Sequence, residues 1–292
     1  MRRPQLRRGF TTVRLQSGLG NQLFQYAFGR AVAERTRTKL RFDLSYFGLE
    51  PHRGYALGDF HIRATLHVAE PRTEAEYRER DAEAEFVMRR FKARILRENG
   101  LDFDPGAIGR ATKNTYLAGY WQAEGYFAEV AELIRKELTP RPTERIRRGL
   151  AQIAGARCAV AVHVRRGDLV ENPDMTAKFG VTGAEFFAPA AEEMLREHPT
   201  AEFFVFSDDP EWCARELRLP GPTTLMSGGN APFEDLALIA SCDHAIISSS
   251  TFGWWGAWLG EHPGQLVIAP AIAFPGSKSE PSGMIPERWR RL

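Results

Sequence analysis

The sequence has few cysteines, no long apolar run and almost no net charge. Three cysteines in 292 residues, Cys158, Cys213 and Cys242, are too few and too far apart for a disulfide framework or a C-x-x-C metal pattern. Cys158 and Cys242 adjoin apolar runs and read as core filler. No apolar stretch reaches the ~18 residues that a membrane span requires. The first residues lack the apolar core of a secretory signal, so the expected location is cytoplasmic. A formal net charge of +2 gives no basic field of the kind that draws in nucleic acid, and no nucleic-acid partner is expected. Only Arg2, Arg3, Arg7 and Arg8 crowd together. They read as a solvated tail, with peripheral contact to anionic lipid as the alternative. There is no Walker-type G-K-[ST] turn. The Gly18-Leu19-Gly20 turn fails the dinucleotide fingerprint, because Leu23 stands where the third glycine belongs.

What is present is an alternation of strand and helix patterns without internal repeats. A hydrophobic content of 43% supports one large core or two smaller ones. Val13 and Leu15 alternate as a strand. Leu23, Ala27 and Ala31 then recur at helical spacing, and Leu40, Phe42 and Leu44 alternate again. This is a βαβ unit and favours a parallel sheet. The charged stretch from Glu70 to Glu98 reads as helical with exposed faces. Pro140 and Pro142 interrupt the next helical pattern, which predicts two domains, residues 1–150 and 151–292. In the second, strands are expected at Ala159–Val164, Glu202–Phe206, Thr223–Met226, Ala245–Ile247 and Leu266–Ile268. Thr182 with Glu185 forms a capping-box pattern before a helix burying Phe186, Ala190 and Met194. Asp209 followed by Pro210 starts another helix. A helix from Phe252 to Leu259 carries Trp254, Trp255 and Trp258 on a packing stripe. Five strands with crossover helices make a doubly wound domain.

Ligands of such a sheet bind beyond the carboxyl ends of its strands. The residues that follow the strands are polar: His163 to Asp168, Ser207-Asp208-Asp209, Ser227 to Asn230, and Ser248 to Thr251. Turn chemistry explains the serines and aspartates, but not two adjacent arginines. Arg165 and Arg166 offer planar forks suited to phosphate oxygens. The serines before Phe252 add hydroxyls and the N–H groups of a helix start. Together they suit a diphosphate; the alternative is a surface salt bridge to Asp168. Asn21 and Gln22 offer amides to sugar hydroxyls, with helix capping by Asn21 as the alternative. Asp102-Phe103-Asp104 precedes Pro105-Gly106 and reads as a turn, and no metal site is expected. His52, His61, His67 and His262 have no ligand spacing.

Taken in order, these segments resemble the bacterial α-1,2-fucosyltransferases of glycosyltransferase family 11. The resemblance is carried by Ser17 to Ala27, by Gly119-Tyr120-Trp121-Gln122 with Tyr126-Phe127, and by His163 to Asp168. Phe206 to Asp209, Ser248 to Leu259, and Pro270, Pro286 and Trp289 complete it. The family implies an α/β, GT-B-like fold of two Rossmann-like domains with the donor site at the interdomain cleft. It implies a GDP-fucose donor, inverting transfer to the 2-hydroxyl of a galactose-type residue, no cofactor and no essential metal. By position, Arg165, Arg166, Ser207, Asp208, Ser249, Ser250, Thr251 and Phe252 would bind the donor. Gly20, Asn21, Gln22 and Gln122 would face the sugar and acceptor. Asp168, His163 and Arg165 would be catalytic, with Asp168 the first candidate base and His163 or Glu124 the next. Ser249 departs from the family's usual Asn, and Ser17 from its frequent Gly. The rivals are a transferase using another nucleotide sugar, a dinucleotide oxidoreductase, and a catalytically silent sugar-nucleotide-binding protein. A bacterial surface-glycan pathway fits the family, with acceptor choice expected in loops around Ser45 to His61 and Glu70 to Glu98.

Overall fold

The strand and helix patterns fold as two α/β units, Met1–Thr139 with Ser282–Met284 and Pro140–Pro281 with Ile285–Leu292. The computed structural model describes residues 9–50, 52–67, 73–226, 229, 231–273 and 281–292. At Asp81, Asp168, Lys178 and Phe179 it describes the backbone alone. The arginine-rich start, with its lipid-contact alternative, and Ser227, Gly228 and Asn230 lie outside the described residues. No helix among the described residues is long and apolar enough to cross a membrane.

Among its described residues the first unit holds five strands: β1 (Phe10–Arg14), β2 (Lys39–Asp43), β3 (Thr65–His67), β4 (Arg94–Arg97) and β5 (Thr115–Ala118). They run parallel in the order β3-β2-β1-β5-β4. The expected βαβ unit is present, with helix Leu19–Thr36 joining β1 to β2. Leu23, Phe24, Ala27, Phe28 and Ala31 of that helix are buried. Gly29 allows its close approach to the sheet, since a Cβ there would sit 2.3 Å from Val13 Cγ2. The same helix is pinned by ions: Arg30 Nε lies 2.9 Å from Glu137 Oε2, and the Tyr26 hydroxyl donates to the same carboxylate.

The charged stretch departs from the all-helical expectation. Helices Glu74–Arg78 and Arg80–Phe91 are followed by β4. Lys92 turns the chain with φ 51°, and Arg-Ile-Leu-Arg then pairs, among the described residues, with β5 alone. As an edge strand it tolerates charge at both ends, which disguised it among helical charges. The short strands β3 and β5 were also not anticipated.

The second unit holds β6 (Cys158–Val164), β7 (Ala201–Ser207), β8 (Thr223–Leu225), β9 (His244–Ile247), β10 (Val267–Ala269) and β11 (Arg290–Arg291). All are parallel, in the order β11-β10-β9-β6-β7-β8. The terminal β11 is one strand more than expected. β6 lies inside the sheet with Ala159 to Val164 buried, which explains its apolar run, broken only by the buried His163. Its register sets Val164 beside Ser207 and His163 beside Ile247. The three strand ends therefore finish level. Trp254, Trp255 and Trp258 are buried as a packing stripe.

One expected cap is different. Helix Ala184–Glu197 begins after Gly183, not Thr182, and has no side-chain cap. The Glu185 carboxylate folds back over Gly183, where a Cβ would meet Oε2 at 2.2 Å. The hydroxyl of Thr182 instead accepts from Ser249 N at 3.2 Å. The helix buries Phe187, Ala190, Ala191 and Met194, while Phe186 is only partly covered.

Gly29→Ala tests the helix–sheet contact. Alanine in a helix interior normally stabilises by ~0.5–1 kcal/mol, but the clash with Val13 should reverse the sign. Urea unfolding is expected to show a loss of about 1–3 kcal/mol; a gain would refute the contact.

Candidate active site

At the carboxyl end of β6 the chain turns through Arg165 and Arg166 into helix Gly167–Glu171. Two adjacent guanidinium groups need compensation, and the level end of β7 supplies it. Arg165 pairs with Asp208. Arg166 Nε lies 3.2 Å from Asp209 Oδ2, and Arg166 N donates to Asp208 Oδ1 at 2.8 Å. The Arg166 guanidinium also stacks over the Trp212 ring, 3.9 Å from its centroid. Asp208 and Asp209, which the sequence did not single out as arginine partners, therefore pair with these two arginines. Asp168 begins the helix beside them, and its side chain lies outside the description. Gly167 is small of necessity, because a Cβ there would sit 2.4 Å from Asp208 Oδ2.

The end of β9 closes the other side. Ser248 Oγ accepts from Arg165 N at 3.1 Å and lies 3.1 Å from His163 Nδ1. Ser250 is the N-cap of helix Thr251–Leu259, its hydroxyl accepting from Phe252 N at 3.2 Å. Ser249 Oγ donates to Ile272 O at 3.3 Å, so the hydroxyl in place of the family's amide ties down the neighbouring chain. Ser207 Oγ accepts from Asp209 N at 3.0 Å. Asp209 in turn caps helix Pro210–Glu216, as expected. Arg165, Arg166, Ser207, Asp208, Ser249, Ser250, Thr251 and Phe252 all occur along this edge.

His163 takes a different part from the expected proton acceptor. It is 5% exposed, its ring packs against Phe252 with centroids 5.4 Å apart, and a Cβ on Gly253 would meet its Nδ1 at 2.5 Å. Burial, with Arg165 nearby, pulls its pKa down to about 3. A neutral, enclosed imidazole that holds Ser248 is a support for the arginine turn.

In the first unit, Asn21 and Gln122 come together, Gln122 Nε2 donating to Asn21 Oδ1 at 2.7 Å. Asn21 lies within the first turn of a helix whose N-cap is Gly18, so it is not the cap. Gln22 does not face a ligand. It is fully buried, its Nε2 donating to Ser17 O and Gly54 O at 2.8 Å and its Oε1 accepting from Ala56 N at 2.9 Å. Gly20 is buried in the same turn. A residue that motif reading passed over, Glu98, organises this edge: it accepts from Tyr120 N at 2.6 Å and Trp121 N at 2.7 Å. Its position at the end of a charged stretch concealed it. Trp212 was likewise missed, since a lone tryptophan on a short helix carries no signal.

The Asp102 and Asp104 carboxylates serve a turn. Asp102 accepts from Ser282 N at 2.9 Å, and Asp104 accepts from Gly106 N at 2.9 Å and pairs with Arg110. Cys158, His198 and His244 bring potential metal-binding atoms within 4.8 Å of one another, at the amino ends of β6 and β9. Chain spacing could not reveal this cluster. Its His244 Nδ1 already accepts from Leu266 N at 3.0 Å. The neutral ring therefore carries its proton on Nε2 and would have to give up a bond or a proton to bind a cation.

The profile of glycosyl transferase family 11 matches residues 2–273. The chain is 29% identical over 289 residues to an alpha-1,2-colitosyltransferase of Escherichia coli, covering 96% of this chain and 97% of that protein. It is 31% identical over 157 residues to human galactoside alpha-(1,2)-fucosyltransferase 1, covering 49% of this chain and 42% of that one. Among solved structures, a mutant of FUT1 from Arabidopsis thaliana in complex with GDP superposes with a TM-score of 0.51 at 14% identity, covering 95% of this chain and 74% of that one. At that identity the likeness is one of fold, an α/β architecture of GT-B type with two Rossmann-like units.

The buried His163 predicts a pH effect on stability. Folded His163 stays neutral down to about pH 3, whereas the unfolded residue binds a proton near pH 6.5. Stability is therefore lost as the pH falls below 6.5. Between pH 7 and pH 5 the wild type should lose about 2 kcal/mol more than His163→Gln, as measured by urea unfolding. Equal losses would contradict the neutral assignment.

Proposed function

We propose, since the chain belongs to glycosyl transferase family 11, that it transfers L-fucose from GDP-β-L-fucose to the 2-hydroxyl of a galactose-type residue, with inversion. Glycosyl transfer itself follows from the family. The donor, the linkage and the roles of residues are our reading. The observation that supports it best is the charge-balanced group of Arg165, Arg166, Asp208 and Asp209 beside the helix start at Thr251.

In this reading the two guanidinium groups grip the donor diphosphate. The bond from the anomeric carbon to the phosphate oxygen breaks as the acceptor oxygen attacks from the opposite face. Negative charge grows on the departing GDP, and the arginines and helix N-terminus stabilise it where it forms. Their aspartate partners hold the forks in place beforehand, so little reorganisation is required. The acceptor proton passes to a carboxylate base. Asp168, at the start of the helix after the arginines, is our first candidate for it, with the half-buried Glu124 the alternative. The two arginines can take the place of a metal ion at the leaving group, and the proposal is a metal-independent enzyme.

A second reading, transfer of another 6-deoxyhexose, is favoured by the full-length similarity to the colitosyltransferase. Colitose lacks the 3-hydroxyl of fucose. A site that hydrogen-bonds that hydroxyl would reject colitose strongly, whereas an apolar site would separate the two only weakly.

The test mixes purified protein with GDP-fucose and a panel of β-galactosides in excess EDTA, and measures acceptor-dependent GDP release. Release with an α-1,2-linked product by NMR is expected; no release with GDP-fucose but release with GDP-colitose would establish the second reading. A loss in EDTA that added divalent metal restores would overturn metal independence. Arg165→Ala is expected to lower kcat/KM on the order of 100-fold or more, the scale of losing one transition-state electrostatic contact. Trp258→Phe should leave it within a few-fold. Unchanged kinetics in Arg165→Ala would remove the diphosphate role.

A further inference from the structure

The first unit carries a cavity of its own, about 330 Å³, at the carboxyl ends of β1, β4 and β5. It is lined by Arg14, Gln16, Arg97, Glu98, Leu101 and Tyr120, among others. In the order β3-β2-β1-β5-β4, the chain winds outward from β1 on one side and through β4 and β5 on the other. The crevice between β1 and β5 is thus a topological switch point, where open α/β sheets bind ligands. Both strands end in a strained turn. Ser17, three residues past β1, has φ 63°, and Trp121, three past β5, has φ 60°. Left-handed backbone at non-glycine residues costs energy and is found often, though not only, at ligand sites.

Two polar atoms of the lining residues lack a hydrogen-bond partner among the described residues, Gln16 Oε1 and Arg14 Nε. Gln16 is 4% exposed, and its Oε1 has no hydrogen-bond donor among the described residues. Its backbone N–H is occupied by Gln25 Oε1 at 3.1 Å. A shielded acceptor without a donor is costly, and a ligand hydroxyl would satisfy it. The charges of the lining are already matched. Fully buried Glu83 pairs with both Arg14 and Arg97, and Glu98 is held by two backbone N–H groups. Glu83 and Glu98 together match the two arginines in formal charge, so the lining carries no net charge and suits a neutral ligand better than an acidic one.

We infer that this cavity receives one neutral pyranose of the acceptor glycan, with Gln16 accepting a ring hydroxyl and thereby selecting for it. Tyr120 and Leu101 supply apolar surface for the C–H face of the ring. The volume lies at the small end of ligand cavities, roughly 300–1,000 Å³, which suits a single ring with its neighbour left outside. The inference rests on the fucosyl-transfer reading only in taking the ligand to be the acceptor.

Gln16→Leu tests it, with methyl β-galactoside and methyl β-galacturonide as probes in saturation-transfer NMR and calorimetry. The wild type is expected to bind the galactoside in preference to the uronide. The variant should bind the galactoside on the order of tenfold more weakly, the weight of one hydrogen bond, and raise the acceptor KM similarly. Its Tm should equal or exceed that of the wild type, because the substitution removes an orphaned acceptor. Equal galactoside affinity in the two proteins would overturn the inference. So would tighter binding of the uronide, or a fall in Tm that accompanies lost binding. If the wild type fails to consume GDP-fucose with any acceptor, the function reading falls, while direct binding still decides the cavity's role.

Discussion

Two guanidinium groups side by side at the end of a buried strand are the constraint around which the second unit is arranged. Each repels the other, and each loses part of its hydration. The sheet answers by ending β7 level with β6, so that Asp208 and Asp209 meet Arg165 and Arg166. Several neighbouring choices follow. Gly167 must lack a side chain because Asp208 occupies that space, and Gly253 must lack one because His163 does. His163 gives up its titration to hold Ser248, whose hydroxyl receives the backbone of Arg165. Removing any of these parts leaves a charge or a polar group exposed to a low-dielectric surrounding, so the turn is held as a unit.

The two units place their polar groups at the same end of their parallel sheets by different means. In the second, charge pairs with charge across strand ends. In the first, carboxylates fix backbone: Glu98 holds the Tyr120–Trp121 turn and Glu50 accepts from Ser17 N at 2.7 Å. The first arrangement suits a ligand made of hydroxyls, and the second suits one that carries phosphate charge. That difference in chemistry is what the proposed division of labour, acceptor on the first unit and nucleotide sugar on the second, rests on.

Much of the second unit was legible in sequence because its signals are local. A continuous apolar run up to Val162 marked β6, Asp-Pro marked the helix after β7, and adjacent arginines marked the site. The pairing of those arginines with Asp208 and Asp209 was not legible, because these aspartates come near only through sheet register. Thr182 misled for a similar reason: its hydroxyl bonds Ser249 from another element and leaves the capping role to the geometry of Gly183. Gln22 stood in a turn that resembled a ligand motif, yet its amide is consumed by the backbone of a distant loop. In the first unit, β4 hid within a charged stretch because an edge strand does not need the alternation that reveals a half-buried one.

The central claim is that Arg165 and Arg166 bind a diphosphate. Calorimetric titration of the protein with GDP and with GMP tests it most directly, because the two ligands share a nucleoside and differ by one phosphate. The account predicts that GDP binds at least about tenfold more tightly, the scale of a charge-assisted contact. It also predicts that this preference disappears when both arginines are replaced by alanine. Equal affinity for GMP and GDP in the wild type, or a preference that survives the double substitution, would contradict it.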